Sequence, residues 1–208
     1  MRRIILGLFV AVLLPILGGC VPQEQAGRLL HPNVIIVREF TAPGSAITLD
    51  PSFGFSLYRG SAGVPPRERA AGIGRAAGFA VADTAVERLQ QLGFDAIRSA
   101  NLMPEPGARA LIVTGTFREI NEGYRRRVGA ENSHIAAEVR VDYQGPDTAP
   151  QMLLQLRLDS RQLPGVAEAG TSRHGGGDLN AAARRIGAEL ARSIAELARR
   201  NQWPMAGA

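Results

Sequence analysis

Hydrophobic and polar residues alternate strictly in three segments near the middle of the chain, residues 110–120, 134–143 and 151–160. The apolar side chains on one face of each segment are Leu111, Val113, Gly115 and Phe117; Ile135, Ala137, Val139, Val141 and Tyr143; and Met152, Leu154, Leu156 and Leu158. A period of two predicts strands with one buried face and one solvated face, which in the middle segment carries His134, Glu138 and Arg140. The short polar connection at 145–150 favours antiparallel neighbours.

Two longer segments have the period of an amphipathic helix. The first, residues 67–92, ends before Gly93, a typical stop residue, and its apolar stripe contains Ile73, Ala77, Ala80, Thr84 and Leu89. The second follows Asp178, a suitable N-cap, and continues to about residue 201, with an apolar stripe of Leu179, Ala183, Ile186, Leu190, Ile194 and Leu197.

Apolar runs at residues 33–40 and 94–99 predict two further strands, so the element order is strand, helix, four strands, helix. The apolar stripes of two helices need a surface, and the strands offer one apolar face. We therefore expect a single α+β domain over residues 33–204. It would be a two-layer sandwich, with a mainly antiparallel five-stranded sheet and two amphipathic helices on one face.

The N-terminus has the organisation of an export signal over residues 1–19. Arg2 and Arg3 precede an apolar core at residues 4–16, which is shorter than the roughly 20 residues that span a bilayer. Residues 20–32 would then be a tether between the mature N-terminus and the folded domain.

The sequence Leu17-Gly18-Gly19-Cys20 resembles the lipobox of bacterial lipoproteins. The resemblance implies cleavage between Gly19 and Cys20, a diacylglycerol thioether on Cys20 and acylation of the new amine. Since each buried methylene adds about 0.8 kcal/mol, three acyl chains would anchor the protein stably in a membrane. In such lipoproteins an aspartate after the cysteine specifies inner-membrane retention. Val21 therefore implies the periplasmic side of the outer membrane.

The body resembles an uncharacterised family of bacterial lipoproteins, a domain of unknown function, over about residues 33–204. Residues 33–60, 110–133 and 198–204 carry this resemblance. The family implies neither an activity nor catalytic residues. More distantly, the element order is similar to the periplasmic domain of the curli secretion-channel lipoprotein and to the N-terminal domain of TolB. That similarity implies a non-catalytic role in envelope assembly or transport, although the chain lacks the long hairpins that would build a pore.

Composition narrows the function classes further. The net charge is +5, and all 24 basic residues are arginine. A basic chain suits nucleic acid, but an exported, anchored protein rarely meets any, so we expect no nucleic-acid partner. The lipid would occupy Cys20, the only cysteine, and no metal-binding motif occurs. The absence of lysine excludes a Walker A motif, and we expect no metal and no cofactor.

The glycines at 72, 74 and 78 would fall inside the first helix. A dinucleotide-binding turn needs its glycines between a strand and a helix start. We therefore interpret Gly74 and Gly78, four residues apart on one face, as a place where the helix closely approaches the sheet or the second helix.

Catalytic residues are not evident. The three histidines are His31 in the tether, His134 on a predicted solvated face and His174 in a glycine-rich loop, and no GxSxG pattern occurs. The alternative function is a weak hydrolase or small-ligand-binding protein, in which Ser172 and His174 would meet Asp178.

Two predicted loops are candidate partner-binding sites. Aromatic residues cluster in residues 41–66, as Phe53, Phe55 and Tyr58, and form either a satellite core or an interface anchor. Residues 122–129 contain Arg125, Arg126 and Arg127 and form either a solvated hairpin tip or an anion-binding surface. The sequence thus predicts a non-catalytic, lipid-anchored interaction module with an envelope protein as partner. Its oligomeric state is not encoded in any pattern we find.

Overall fold

The α+β architecture expected from the sequence is confirmed by a computed structural model, which describes residues 29–50, 64–123, 132–146, 148–164 and 179–206. In these residues the helices are α1 (Pro66–Gln91) and α2 (Leu179–Asn201). The strands are β1 (Val34–Val37), β2 (Ile47–Thr48), β3 (Ala96–Arg98), β4 (Ala110–Asn121), β5 (His134–Gln144) and β6 (Gln151–Asp159).

The described strands form one mixed sheet in the order β3-β1-β4-β5-β6, with β2 beside the far end of β4. The long ladders, β4 with β5 and β5 with β6, are antiparallel, whereas β1 pairs in parallel with β3 and β4. A parallel pair needs a crossover connection, and α1 supplies the one between β1 and β3. The sheet has a sixth strand because β2 also pairs with β4. This strand has two residues, too few to show an alternating pattern.

Both helices pack on the same face of the sheet and form one core with it. The predicted stripe of α2 is buried, apart from the half-buried Leu179 at its start. In α1 the predicted stripe is displaced: Ala77 and Leu89 are buried, but the centre of the stripe lies at Gly74, Gly78, Val81 and Ala85. Small residues face the sheet here, so hydrophobicity alone did not locate the buried face.

The connection between β1 and β2 passes under α1 at Phe40. A Cβ atom on Gly115 of β4 would overlap the Phe40 ring, and one on Gly78 of α1 would lie 3.1 Å from the Phe40 carbonyl oxygen. Phe40 also packs on Phe117, with 5.6 Å between ring centroids. The helix does approach closely at Gly74 and Gly78, where a Cβ on Gly74 would lie 2.7 Å from that of Ala42. Its main neighbour is the connection between β1 and β2, however, and not the second helix.

The two helices touch each other at Gly187 of α2. A Cβ atom there would overlap the carbonyl oxygen of Val81 and lie 2.9 Å from Cβ of Thr84. The contact is with the backbone of α1, which cannot rotate away as a side chain can. Glycine at this position therefore sets the distance between the helices.

The predicted buried face of β6 is only partly correct. Leu158 is buried, but Leu154 and Leu156 are half-buried and Met152 is 50% exposed. β6 is the last strand in the described sheet, and its register with β5 shifts between Val141 and Asp142. Alternation identifies the face of a strand, but it does not reveal that the strand lies at an edge.

Different segments of the chain lie at the two ends of the sheet. At one end, the N-terminal pole, residues 29–32 pack against residues 201–206. Leu29 donates its N–H to Asn201 Oδ1 at 3.2 Å, and its carbonyl accepts from Trp203 Nε1 at 2.7 Å. His31 stacks on Phe94, with 5.8 Å between ring centroids. The last residues of the predicted tether are thus held by the folded body.

The opposite end, the loop pole, contains residues 48–50, 121–123 and 132–134, together with the first turn of α1. Because β1 pairs with the start of β4 and β2 with its end, the two poles lie at opposite ends of β4. This strand has 12 residues, which corresponds to roughly 36 Å at about 3.3 Å per residue.

We expect Gly187→Ala to destabilise the protein by about 1–3 kcal/mol, because the added methyl forces the two helix backbones apart. The matched control is Gly72→Ala in α1, where a Cβ would have no neighbour within 4 Å. That variant should gain about 0.5–1 kcal/mol, as alanine restricts the unfolded chain. Urea unfolding of both variants measures the difference, and equal midpoints would contradict close packing at Gly187.

Candidate functional site

Both segments that contain the sequence-predicted partner-binding residues join the described fold at the loop pole. Residues 51–63 lie between Asp50 and α1, and residues 124–131 lie between β4 and β5. The predicted residues themselves lie outside the described residues: Phe53, Phe55, Tyr58, Arg125, Arg126 and Arg127. The structure describes the chain on either side of each segment, and it brings these chain ends together.

The side chain of Glu122 links three elements at this pole. It is 4% exposed, and its Oε2 accepts the Asp50 N–H at 2.9 Å and Arg69 Nη2 at 2.5 Å. Arg69 Nη2 also donates to the carbonyl of Asp50 at 3.2 Å. One ion pair thus ties together the end of β4, the first turn of α1 and the chain that leaves β2.

A second set of hydrogen bonds closes the base of residues 124–131. Ser133 Oγ donates to the Glu122 carbonyl at 2.6 Å, and Gly123 N–H donates to Asn121 Oδ1 at 2.7 Å. Gly123 has a φ of 74°, in the left-handed region where glycine is favoured. The backbone N–H of Glu122 donates to the Thr48 carbonyl at 3.1 Å. The bases of both candidate loops therefore form one hydrogen-bonded unit.

The sequence interpretation did not identify the roles of Glu122, Arg69 and Asp50. It offered a solvated hairpin tip as one alternative for residues 122–129. For Glu122 itself that alternative is wrong, because the whole residue is 6% exposed and its side chain is 4% exposed. A buried carboxylate is costly unless it is paired and hydrogen-bonded, and Arg69 and the Asp50 N–H meet that requirement. Both partners bind the same oxygen, Oε2, so Glu122 links the bases of the two loops. Only the three-dimensional path of the chain reveals Arg69, 53 positions away, as its partner.

His134, predicted on the solvated face, is buried at 3% exposure. Its Nε2 lies 3.0 Å from Glu119 Oε1, without the alignment of a hydrogen bond. Arg161 Nη2 approaches the other oxygen of Glu119, at 3.8 Å. The prediction was wrong because alternation identifies the face of a side chain but not what covers that face.

Arg161 also binds Asp159, just beyond this cluster. Its Nη2 lies 2.7 Å from Asp159 Oδ2, and its Nε lies 3.0 Å from Oδ1. This hydrogen bonding is the main reason why the pKa of Asp159 lies below its ordinary value of 3.8. The pair fixes the chain where it leaves β6.

The other sequence-predicted groups are distributed as follows. Gly19, Cys20, Ser172, His174 and Asp178 lie outside the described residues. Within the described ranges, no group of three or more His, Cys, Asp or Glu side chains is arranged to hold a metal ion. In the same part of the chain, neither helix has the length and apolarity to cross a bilayer.

Comparisons with known proteins give distant structural likenesses, of which two are described here. A scan against protein-family models finds no match, and a search of curated proteins finds none either. A chain described as a neuraminyllactose-binding hemagglutinin homologue from Helicobacter pylori is 11% identical. The match covers 86% of this chain and 87% of that one, with a TM-score of 0.31. The hypothetical protein CT253 from Chlamydia trachomatis is 13% identical over 83% of this chain and 98% of that one, with a TM-score of 0.32. Likenesses this low identify neither a family nor a function.

We expect Glu122→Ala to destabilise the protein by roughly 3 kcal/mol, because it leaves Arg69 partly buried without its carboxylate. Glu138→Ala is the matched control. It removes a carboxylate from the exposed face of β5, where Glu138 pairs with Arg118 at 2.7 Å. Exposed ion pairs contribute little, so its urea midpoint should change little. Amide hydrogen exchange should also accelerate at Asp50 and Gly123 in Glu122→Ala alone, and unchanged exchange would contradict the linking role.

The pKa of Asp159 predicts a pH-dependent contribution to stability. Its pKa is lowered in the folded state, so this contribution is present above the ordinary pKa of 3.8 and is lost as the pH falls through the folded value. Wild type should therefore be more stable than Asp159→Asn at pH 7, and the gap should narrow below about pH 4. Urea unfolding of both proteins at several pH values measures this gap. A gap that does not depend on pH would contradict an ionised Asp159–Arg161 pair.

Proposed function

We propose that the protein is a lipid-anchored, non-catalytic interaction module on the periplasmic side of the bacterial outer membrane. In this proposal, Cys20 carries the lipid and the loop pole binds an envelope protein. The observation that carries the proposal is the separation of the two poles by the length of β4.

The N-terminal pole supports the anchoring half of the proposal. Both backbone polar groups of Leu29 are held by the folded body, so the chain is attached to it from Leu29 onward. Nine residue steps separate Cys20 from Leu29, and an extended chain covers about 3.3–3.6 Å per step. A lipid on Cys20 would therefore keep the N-terminal pole within about 30 Å of the bilayer.

The loop pole supports the binding half of the proposal. Its two candidate segments contain aromatic and arginine residues, the types that dominate binding energy in protein interfaces. The Glu122 ion pair and the Ser133 hydrogen bond hold their bases together. Preorganisation of this kind lowers the entropic cost of binding. An anchor at one pole would leave the other pole facing away from the membrane.

The two halves can be tested together by site-specific photo-crosslinking in cells. One probe replaces Asn132, an exposed residue at the loop pole, and the other replaces Glu105, an exposed residue in the turn that leads to Arg109 and β4. We expect a discrete protein adduct from position 132 and none of that size from position 105. Replacing Arg125, Arg126 and Arg127 with glutamate should abolish the adduct at position 132 without lowering the thermal midpoint.

The Cys20→Ser variant provides the test of the anchor. It should incorporate no radiolabelled palmitate, leave the membrane fraction and lose the adduct at position 132. Palmitate labelling that persists in Cys20→Ser would contradict the anchor. Equal adducts from positions 132 and 105 in the anchored protein would instead contradict a binding surface at the loop pole.

A further inference from the structure

A groove of about 790 Å³ lies between α1 and α2, on the solvent side of the helix layer. Its walls come from successive turns of both helices, including Phe79 and Thr84 of α1 and Asn180 and Ala188 of α2. Volumes of 300–1,000 Å³ are typical of sites for small ligands. The groove is separate from the loop pole, and its interpretation does not depend on the proposed function.

Three arginines line this groove: Arg88 of α1 and Arg184 and Arg185 of α2. Across the described ranges, none of the three forms an ion pair with a carboxylate. Arg88 donates instead to the neutral side chain of Gln91, at 3.2 Å. Among the described groups, Arg185 Nε is buried without a hydrogen-bond partner. Arg38 Nε and His134 Nε2 are in the same situation elsewhere in the described chain. A buried donor is costly to leave unsatisfied, so an acceptor bound in the groove would stabilise Arg185.

Two carboxylates also line the groove, and they do not cancel its positive charge. Asp83 is paired with Arg98 at 3.1 Å, so its charge is already compensated. Glu87 accepts a hydrogen bond from Gln91 at 3.4 Å and forms no ion pair within the described ranges. Three guanidinium groups therefore face one uncompensated carboxylate, which leaves an excess of two positive charges.

We propose that this groove binds a phosphate monoester. Such a group carries about −1.5 to −2 charges at pH 7 and has three strong acceptor oxygens. That charge matches the excess in the groove, whereas a single carboxylate would leave half of it unmatched. Guanidinium groups bind phosphate through paired donors. The guanidinium of Arg98 lies over the Phe79 ring, 4.6 Å from its centroid. The rest of the ring, which leaves Phe79 38% exposed at the groove, offers an apolar surface to the organic part of the ester.

The test uses the full chain in neutral detergent micelles, with phenyl phosphate as the probe and benzoate as its carboxylate counterpart. We expect phenyl phosphate to bind saturably and to shift the NMR signal of the Arg185 Nε–H group. Benzoate should bind more weakly. In calorimetric titration, Arg184→Gln combined with Arg185→Gln should weaken phenyl phosphate binding by roughly tenfold or more, as expected for lost charge-assisted hydrogen bonds.

The matched control is Arg192→Gln combined with Arg199→Gln, on the same helix and with the same change in charge. Arg192 and Arg199 lie outside the groove and pair with Glu189 and Glu196. This control should keep its affinity for phenyl phosphate within about twofold, because neither side chain lines the groove. The protein should also stay folded, because exposed ion pairs contribute little to stability. Arg88→Gln is a second variant on the opposite wall, and it should also weaken binding.

Three outcomes would overturn the proposal: no saturable binding of phenyl phosphate, equal loss of affinity in the control, or benzoate binding as tight as that of phenyl phosphate. A further arm identifies the source of the phosphate. Micelles that contain phosphatidic acid should shift the Arg185 signal without added probe if the ligand is a lipid headgroup. Absence of that shift, with phenyl phosphate still binding, assigns the groove to soluble phosphate esters.

Discussion

The contact of Phe40 with two glycines determines how the rest of the molecule is arranged. Gly115 leaves room for the ring on the sheet, and Gly78 lets α1 approach the backbone at the same place. Because interiors are close-packed, a methyl group at either position would have to displace an aromatic ring or a helix. Phe40 therefore fixes the separation of the helix layer and the sheet, and it does so from a connecting segment.

The path of that connecting segment has consequences at the loop pole. The segment follows β4 from the pairing of Val34 with Ala110, through a bridge between Thr41 and Thr116, to the pairing of Thr48 with Asn121. It thus delivers the Asp50 N–H to the carboxylate of Glu122. The first turn of α1 supplies Arg69 to the same carboxylate. The segment that packs at Phe40 and the helix that covers it therefore both contribute a partner to the buried carboxylate of Glu122.

The sequence allowed prediction of what depends on local periodicity. The two helices, the long strands and the inward faces of β4 and β5 follow from repeats of 3.6 and 2 residues. Strand β2 was not predicted, because two residues are too few to show a repeat. The exposure of Met152 was not predicted either, because it depends on the position of β6 at the edge of the described sheet. The burial of Glu122 and His134 was not predicted, because the charged groups beside them, Arg69 and Glu119, come from other elements of the fold.

The position of the groove between the helices follows from the fold, whereas its charge depends on which side chains line it. The two helices are in close contact at Gly187, and the groove lies beside this contact, on the solvent side. The charge of the groove depends on how the arginines are spaced from acidic residues along α2. Arg192 and Arg199 each have a glutamate three residues earlier on the same helix, whereas the positions three and four residues from Arg184 hold no acid. Arg185 has Glu189 one turn away, but Glu189 binds Arg192. Arg184 and Arg185, like the exposed Arg200, form no ion pair with a carboxylate in the described part of the chain. An anion bound in the groove would give Arg184 and Arg185 a partner.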